Sequence, residues 1–208
     1  MSAQAALRDK RVLLIGAGGL GSPAGTLLAQ AGAGYIEVLD DDVVELSNLQ
    51  RQTLYRESDV GRSKAQRAAE QLLVLARAAG HAHTEVQARE GRMRPDCALE
   101  RVRGFDLVVE GSDNYPTKFL TADACQLARV SCVQAAAVRW VGWTLGCVPG
   151  ESACLRCVFE DIPVGPVQGC ATAGVIGPVV GVMGALQASI ALRLLLGQKE
   201  AAGVLHHY

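Results

Sequence analysis

The sequence predicts an α/β fold in which a mostly parallel sheet carries helices on both faces, with antiparallel strands added in the C-terminal half. Three observations predict it. Short apolar segments alternate with segments of helical composition through the first two thirds of the 208 residues. A glycine-rich turn joins the first apolar segment to the first helical one. The chain is 50% hydrophobic but only 4% aromatic and contains 23 glycines, a composition that favours helices packed closely on an aliphatic sheet.

Strands and helices alternate along the first part of the chain. The strand-like segments are residues 11–15, 35–39, 85–87, 105–109 and 130–134. The helix-like segments are residues 20–31, 64–79 and 116–128. Strands that are connected through helices lie parallel in one sheet, with the helices covering both of its faces. This is a Rossmann-like arrangement.

The C-terminal half has a different pattern. Residues 138–148 alternate apolar with small or polar side chains and have no helix beside them, so they predict antiparallel strands. Residues 154–169 are loop-like, and residues 204–208 form a final strand. We find no linker or internal repeat, and residues 1–208 are expected to form a single domain.

Residues 170–192 contain no charged side chain over 23 positions, which is long enough for a membrane span. Pro178 and the polar residues Thr172, Gln187 and Ser189 favour instead a fully buried core helix that follows a glycine-rich loop. The glycines of this region, among them Gly177, Gly181 and Gly184, are expected to permit close helix packing.

Composition also limits the compartment and the partners. Twenty basic and 21 acidic residues give a net charge of −1, which offers nothing to attract nucleic acid or a membrane surface. The N-terminus has no apolar core of signal-peptide length. Seven cysteines, an odd number that includes several in apolar stretches, favour reduced thiols and a cytoplasmic protein.

The glycine-rich turn predicts a nucleotide site. The spacing G-x-G-G-x-G is formed by Gly16, Gly18, Gly19 and Gly21, between a strand and a helix. Backbone N–H groups in this setting bind phosphate, and Asp40 at the end of the second strand suits ribose hydroxyls. These features alone also fit an NAD(P)-dependent oxidoreductase.

The residues after Asp40 favour a triphosphate over a nicotinamide. Between positions 51 and 67 lie five basic residues, of which we assign Arg51 and Lys64 to phosphates and Arg56 and Arg67 to a solvated face. Asp113 follows the strand at 105–109, where it is suited to hold Mg²⁺ against phosphate oxygens or to cap the next helix.

These motifs together resemble the ThiF/MoeB/HesA family, the prokaryotic branch of the ubiquitin-activating enzymes, and within it the thiamin-type branch. The resemblance rests on residues 16–21, 40, 47–52, 61–64, 112–114, 154–157 and 170–178. It covers nearly the whole chain in the family's order.

The resemblance implies an adenylyltransferase that uses Mg²⁺ and ATP to adenylate the C-terminal glycine of a ubiquitin-fold sulfur carrier protein ending in Gly-Gly, of the ThiS or MoaD type. Pyrophosphate is the other product. The implied site places Gly16, Gly18, Gly19 and Gly21 on the nucleotide, Asp40 on the ribose, Asn48, Arg51 and Lys64 on the phosphates, and Asp113 on Mg²⁺. A homodimer that forms through the long apolar helix, and a sulfurtransferase or cysteine desulfurase as a partner, are also implied.

In ThiF-like members a cysteine at the place of Cys170 can bond covalently to the carrier, so the resemblance implies this role for Cys170, with a partly buried structural thiol as the alternative. Cys154 and Cys157 match half of a four-cysteine Zn²⁺ site, while the second Cys-x-x-Cys of the family is absent from this sequence. Either the zinc is lost, or other groups such as His206 and His207 complete the site, or the protein is longer than this sequence. Arg8 and Arg11 do not match the N-terminal arginine that family members insert into a partner's ATP site. Because of these two departures, a non-catalytic scaffold that binds the carrier stays an alternative to the enzyme.

Overall fold

The computed structural model describes residues 3–160, 162 and 173–208. Its strands are β1 (Arg11–Ile15), β2 (Tyr35–Asp40), β3 (Glu85–Glu90), β4 (Leu107–Glu110), β5 (Ser131–Val138), β6 (Val141–Cys147) and β7 (Leu205–His207). The α-helices are α1 (Ala3–Leu7), α2 (Gly21–Ala31), α3 (Lys64–Ala78), α4 (Ala98–Val102), α5 (Tyr115–Ala128), α6 (Leu155–Val158) and α7 (Gly177–Leu195). Short 3₁₀ helices span Leu46–Asn48, Glu57–Asp59 and Lys199–Ala201.

The seven strands form one mixed sheet in the order β3-β2-β1-β4-β5-β6-β7. The pairs from β3 to β5 are parallel, and β5–β6 and β6–β7 are antiparallel. The predicted fold class is therefore confirmed. The antiparallel strands predicted in the segment 138–148 are confirmed: Val138 ends β5, and β6 pairs with the long strand β5 as a hairpin.

Alternation along the central strands divides the core between the two faces of the sheet. Val12 and Leu14 of β1 pack in one cluster with residues of α2, α3 and α7. Leu13 and Ile15 pack on the opposite face with residues of α4 and α5. Burial on both faces favours apolar side chains at successive positions of a strand, which explains the continuous apolar run Val12–Ile15 of β1.

Helix α7 is the only described helix that is long and apolar enough to cross a membrane. It packs within the protein on one side: Gln187 is fully buried and its Nε2 donates to the carbonyl oxygens of Glu110 and Val133 at 2.8 and 3.0 Å. The prediction of a core helix is confirmed, but full burial is wrong, because Val182 is 43% exposed.

The glycines of α7 differ in their surroundings. A Cβ on Gly184 would lie 2.4 Å from Pro23 Cγ, so this glycine does permit close approach to α2. A Cβ on Gly181 would meet nothing within 4 Å. The packing role predicted for Gly181 is therefore wrong within the described chain.

Candidate active site

The carboxyl ends of β1, β2 and β4 open into one large cavity of about 810 Å³. Its position is that of the ligand crevice in open α/β sheets, at the point where the strand order reverses. The predicted residues on its wall are Gly16, Gly18, Gly19, Asp40, Arg51, Lys64 and Asp113. An adjoining cavity of about 240 Å³ shares Arg51, Lys64 and Asp113 and adds Asn48.

The glycine-rich turn is built around backbone contacts that side chains would obstruct. Gly16 has φ +82°, and a Cβ on Gly21 would lie 1.9 Å from the Gly16 carbonyl oxygen. A Cβ on Gly18 would meet only the Gln52 side chain, at 3.5 Å or more. Among the described residues, no group accepts a hydrogen bond from the N–H of Gly18 or Gly19. The turn therefore offers free donors to an anion, at the start of α2 where the helix dipole also favours negative charge.

Asp40 supports this turn from the end of β2. Its carboxylate accepts from the N–H of Ala17 at 2.8 Å and from that of Asp42 at 2.9 Å. Burial raises the pKa of Asp40 above its ordinary value, although both N–H donors oppose the rise. Tyr55 holds the other side of the turn, because its phenol donates to the Ala17 carbonyl at 2.8 Å.

The cationic wall is formed by the segment that follows β2. Lys64 is the first residue of α3, whose N-cap is Ser63, and its nearly buried ammonium lies 3.0 Å from the exposed carboxylate of Asp42. Arg51 is less enclosed and donates to the Ser47 carbonyl at 3.3 Å. The structure therefore brings Lys64, Arg51 and the buried Asn48 to one side of the cavity.

The two other basic residues singled out in this segment differ from each other. Arg56 is exposed, as predicted. The assignment of Arg67 to a solvated face is wrong, because its guanidinium is largely enclosed and lies 2.6 Å from the buried carboxylate of Asp59. Burial alone would raise the pKa of Asp59, but donors from Arg56 N–H and Arg67 hold it below its ordinary value.

Asp113 lies on the wall shared by the two cavities. Its side chain is exposed, and no described residue donates a hydrogen bond or forms an ion pair with it. The helix-capping role belongs to its neighbour Asn114, whose Oδ1 accepts from the N–H of Thr117 at 2.9 Å. The Asp113 carboxylate is thereby left available to a cation.

Several residues of the cavity wall were not predicted from the sequence. These are Arg92, Met93, Lys118 and Trp143. Lys118 extends from the buried face of α5 to Glu110 at the end of β4, with Nζ 2.8 Å from Oε2. A charged residue that ends the buried run Leu107–Val109 was a signal for this pair, because a buried carboxylate requires a partner.

Cys154 and Cys157 come together at the start of α6, with their sulfur atoms 3.7 Å apart. Two thiolates bound to one tetrahedral Zn²⁺ with Zn–S bonds of about 2.3 Å stand about 3.8 Å apart, so the pair fits half of such a site. No third cysteine, histidine or carboxylate joins them within the described residues, and this includes His206 and His207. Cys170 lies outside the described residues.

Comparison with known proteins identifies the family of this chain. The model of the ThiF family matches residues 1–208. The chain belongs to the ThiF family. This ThiF-family chain is 41% identical to the SAMP-activating enzyme E1 of Haloferax volcanii, over 95% of the chain and 72% of the relative. It is 39% identical to the sulfur carrier protein ThiS adenylyltransferase of Escherichia coli, over 99% of the chain and 80% of the relative.

Longer relatives and solved structures match as well. The adenylyltransferase and sulfurtransferase MOCS3 of Dictyostelium discoideum is 38% identical over 96% of the ThiF-family chain, which spans only 46% of that protein. The crystal structure of E. coli MccB superposes with a TM-score of 0.83 over 99% of this chain and 64% of that one, at 22% identity. Relatives named adenylyltransferases favour a nucleotidyltransferase over the oxidoreductase alternative.

Proposed function

We propose that this protein uses ATP to adenylate the C-terminal glycine carboxylate of a ubiquitin-like sulfur carrier protein, with release of pyrophosphate. One observation carries the proposal: a single cavity joins two cations with N–H donors and a carboxylate that have no partner among the described residues. The N–H groups belong to Gly18 and Gly19, the cations to Arg51 and Lys64, and the carboxylate to Asp113. The cavity volume lies at the upper end of the range for small-molecule sites, which leaves space for a peptide end beside a nucleotide.

The chemistry requires positioning more than proton transfer. A carboxylate oxygen of the carrier attacks the α-phosphorus, the bond from that phosphorus to the bridging oxygen of the β-phosphate breaks, and pyrophosphate leaves with the electron pair. A C-terminal carboxylate is ionised at pH 7, so no general base is needed. The two substrates are both anionic, and therefore fixed cations and N–H donors must hold them together.

The residues of the cavity divide this work. The turn at Gly18 and Gly19 would hold phosphate, while Asp40 has oxygen lone pairs left for ribose hydroxyls after accepting its two N–H bonds. Asn48, Arg51 and Lys64 would bind the β- and γ-phosphates. Lys64 would exchange the exposed Asp42 carboxylate for a phosphate oxygen.

Asp113 fits a magnesium site. Its carboxylate is a hard oxygen donor without a described partner, and it faces the cavity wall that holds Arg51 and Lys64. Magnesium commonly takes one or two carboxylates and completes its coordination with phosphate oxygens and water. When bound, the ion would neutralise charge on the phosphates.

Pyrophosphate–ATP exchange tests the proposal. Exchange of labelled pyrophosphate into ATP is expected when a carrier ending in Gly-Gly is supplied. The same carrier without its last two residues is the matched control and should support none. Absence of exchange with every Gly-Gly carrier of the source organism would contradict the proposal, and carrier binding without exchange would favour the scaffold alternative.

Within this function we assign a covalent role to Cys170. Its place before the Ala-Gly-Val-Ile-Gly-Pro segment of the family pattern supports that assignment. Cys170→Ala is expected to retain pyrophosphate exchange but to lose sulfur transfer to the carrier, because adenylation precedes any thiol step. Sulfur transfer at the wild-type rate in that variant would remove Cys170 from the mechanism. Cys97→Ala, which alters a partly exposed thiol elsewhere, is the control.

We also propose that Cys154 and Cys157 are zinc ligands. Their sulfur separation of 3.7 Å supports this. Metal analysis should find about one zinc per chain. The double substitution of Cys154 and Cys157 by serine should remove the zinc and lower the melting temperature, because a structural zinc site contributes folding free energy. A zinc content below about half an equivalent per chain in the purified protein would contradict the proposed zinc site.

A homodimer formed beside α7 completes the proposal. Leu27 on α2 and Val182 on α7 are exposed apolar side chains, and the open space at Gly181 would permit close approach of a second helix. Light scattering should give about twice the 21.9 kDa chain mass. A sulfurtransferase or cysteine desulfurase would supply the sulfur after adenylation.

A further inference from the structure

A buried ion pair lies three residues before the proposed magnesium ligand in the chain, at the end of β4. Glu110, the last residue of β4, is fully buried, and Lys118 on α5 is 3% exposed. Lys118 Nζ lies 2.8 Å from Glu110 Oε2 and also donates to the carbonyl oxygen of Ala135 on β5. The pair therefore joins two strands and a helix beneath the cavity.

The second oxygen of Glu110 reaches towards Asp113. Oε1 accepts from the N–H of Ser112 at 2.7 Å and also from the Ser112 hydroxyl. Ser112 immediately precedes Asp113 in the chain. One carboxylate thus fixes the turn from 110 to 113 on one side while it is itself fixed by Lys118 on the other.

Surrounding amides lock the pair in place. Gln187 of α7 donates to the Glu110 carbonyl at 2.8 Å, and Gln134 of β5 donates to the Lys118 carbonyl at 2.8 Å. Thr144 of β6 donates to the Gln134 carbonyl at 3.0 Å. Several elements of the fold thereby hold two charged side chains in one geometry.

Stability alone does not account for such a pair. Hydrophobic residues of similar volume often replace a buried ion pair with no loss of stability, because removing two charges from water is costly. Metal ligands, in contrast, commonly depend on carboxylates and amides that orient them from behind. Glu110 lies three residues before Asp113 and accepts hydrogen bonds from Ser112, so its location favours the orientation of a metal ligand over stability.

We propose that Glu110 and Lys118 are positioning residues that hold the Asp113 carboxylate towards the cavity as a ligand for a divalent cation on the nucleotide. This inference rests on the role proposed above for Asp113. Lys118 holds the Glu110 carboxylate, Glu110 fixes Ser112, and Ser112 sets the direction of Asp113.

Manganese binding tests the inference without turnover. The full chain is loaded with a non-hydrolysable ATP analogue, and bound Mn²⁺ is measured by electron paramagnetic resonance. The variants are Glu110→Leu, Lys118→Met and the double variant. Glu37→Leu is the matched control, since Glu37 is a carboxylate with a side chain only 8% exposed, 2.6 Å from Arg89, in a part of the sheet that does not line the cavity.

The expected result separates positioning from core packing. Each single variant should raise the Mn²⁺ dissociation constant about 10- to 100-fold, while Glu37→Leu leaves it within about twofold of wild type. The double variant should recover melting temperature relative to the singles, because no unpaired charge stays buried. Its Mn²⁺ affinity should stay low, because nothing then fixes Ser112.

Wild-type Mn²⁺ affinity in the single variants, or recovery of Mn²⁺ affinity together with stability in the double variant, would overturn the inference. If the single variants do not fold, Ser112→Ala decides, because it removes only the hydroxyl contact and leaves the ion pair intact. The Ser112→Ala variant is expected to bind Mn²⁺ a few-fold more weakly than the wild type. An unchanged Mn²⁺ affinity would contradict the positioning role of Glu110 and Lys118. Missing exchange in the wild type with intact Mn²⁺ binding would instead refute the proposed reaction.

Discussion

Replacing Asp113 by alanine is expected to reduce carrier-dependent pyrophosphate exchange by about 10³-fold or more, because a metal ion supplies several kcal/mol of charge stabilisation in the transition state. The fold should be unaffected. The Asp113 side chain is exposed and has no described partner, so the free energy of unfolding should change by less than about 0.5 kcal/mol. Exchange kinetics at varied Mg²⁺ and urea unfolding of the same preparations measure the two effects.

A matched control distinguishes the site from general charge. Asp9→Ala removes another exposed aspartate, which precedes β1 at the end of that strand away from the cavities, and should leave exchange near the wild-type rate. Excess Mg²⁺ should not restore Asp113→Ala, because the ligand itself is lost. An Asp113→Ala protein with wild-type exchange would show that the divalent cation is held elsewhere.

The parts of this site that could be predicted from sequence are those defined by local spacing. Gly16 to Gly21 follow a strand and open a helix at a spacing that the sequence shows directly, and Asp40 ends a strand that is visible as an apolar run. The rule that the carboxyl ends of parallel strands share one edge then brought Asp113 to the same place. The position of Lys64 could also be predicted, because it is the first residue of a helix with a clear apolar periodicity.

The parts that could not be predicted depend on which side chains meet across elements. Lys118 and Glu110 are eight residues apart on a helix and a strand. Glu110 at the end of a buried run indicates that a partner is required, but the spacing does not identify Lys118 as that partner. Arg67 was misassigned for the same reason, since its partner Asp59 lies in a 3₁₀ helix without apolar periodicity.

Alanine substitutions at two glycines of the nucleotide turn should have separate effects, one on the free energy of unfolding and the other on ATP binding. Gly21→Ala would place a Cβ 1.9 Å from the Gly16 carbonyl oxygen and 2.9 Å from its carbon, and a backbone atom cannot move aside as the end of a side chain can. The better helix propensity of alanine offsets only about 1 kcal/mol. We expect a net loss of about 3 kcal/mol in the free energy of unfolding, measured by urea denaturation.

Gly18→Ala, three residues earlier, should behave in the opposite way. Its Cβ would meet only the flexible Gln52 side chain, at 3.5 Å, so the free energy of unfolding should change by less than about 1 kcal/mol. The added methyl group would instead occupy the space beside the free N–H groups. Loss of one charge-assisted hydrogen bond there should weaken ATP binding about tenfold or more in calorimetry.

Equal stability loss in the two variants would mean that the turn is rigid throughout. Unchanged ATP affinity in Gly18→Ala would mean that the phosphates bind outside the turn.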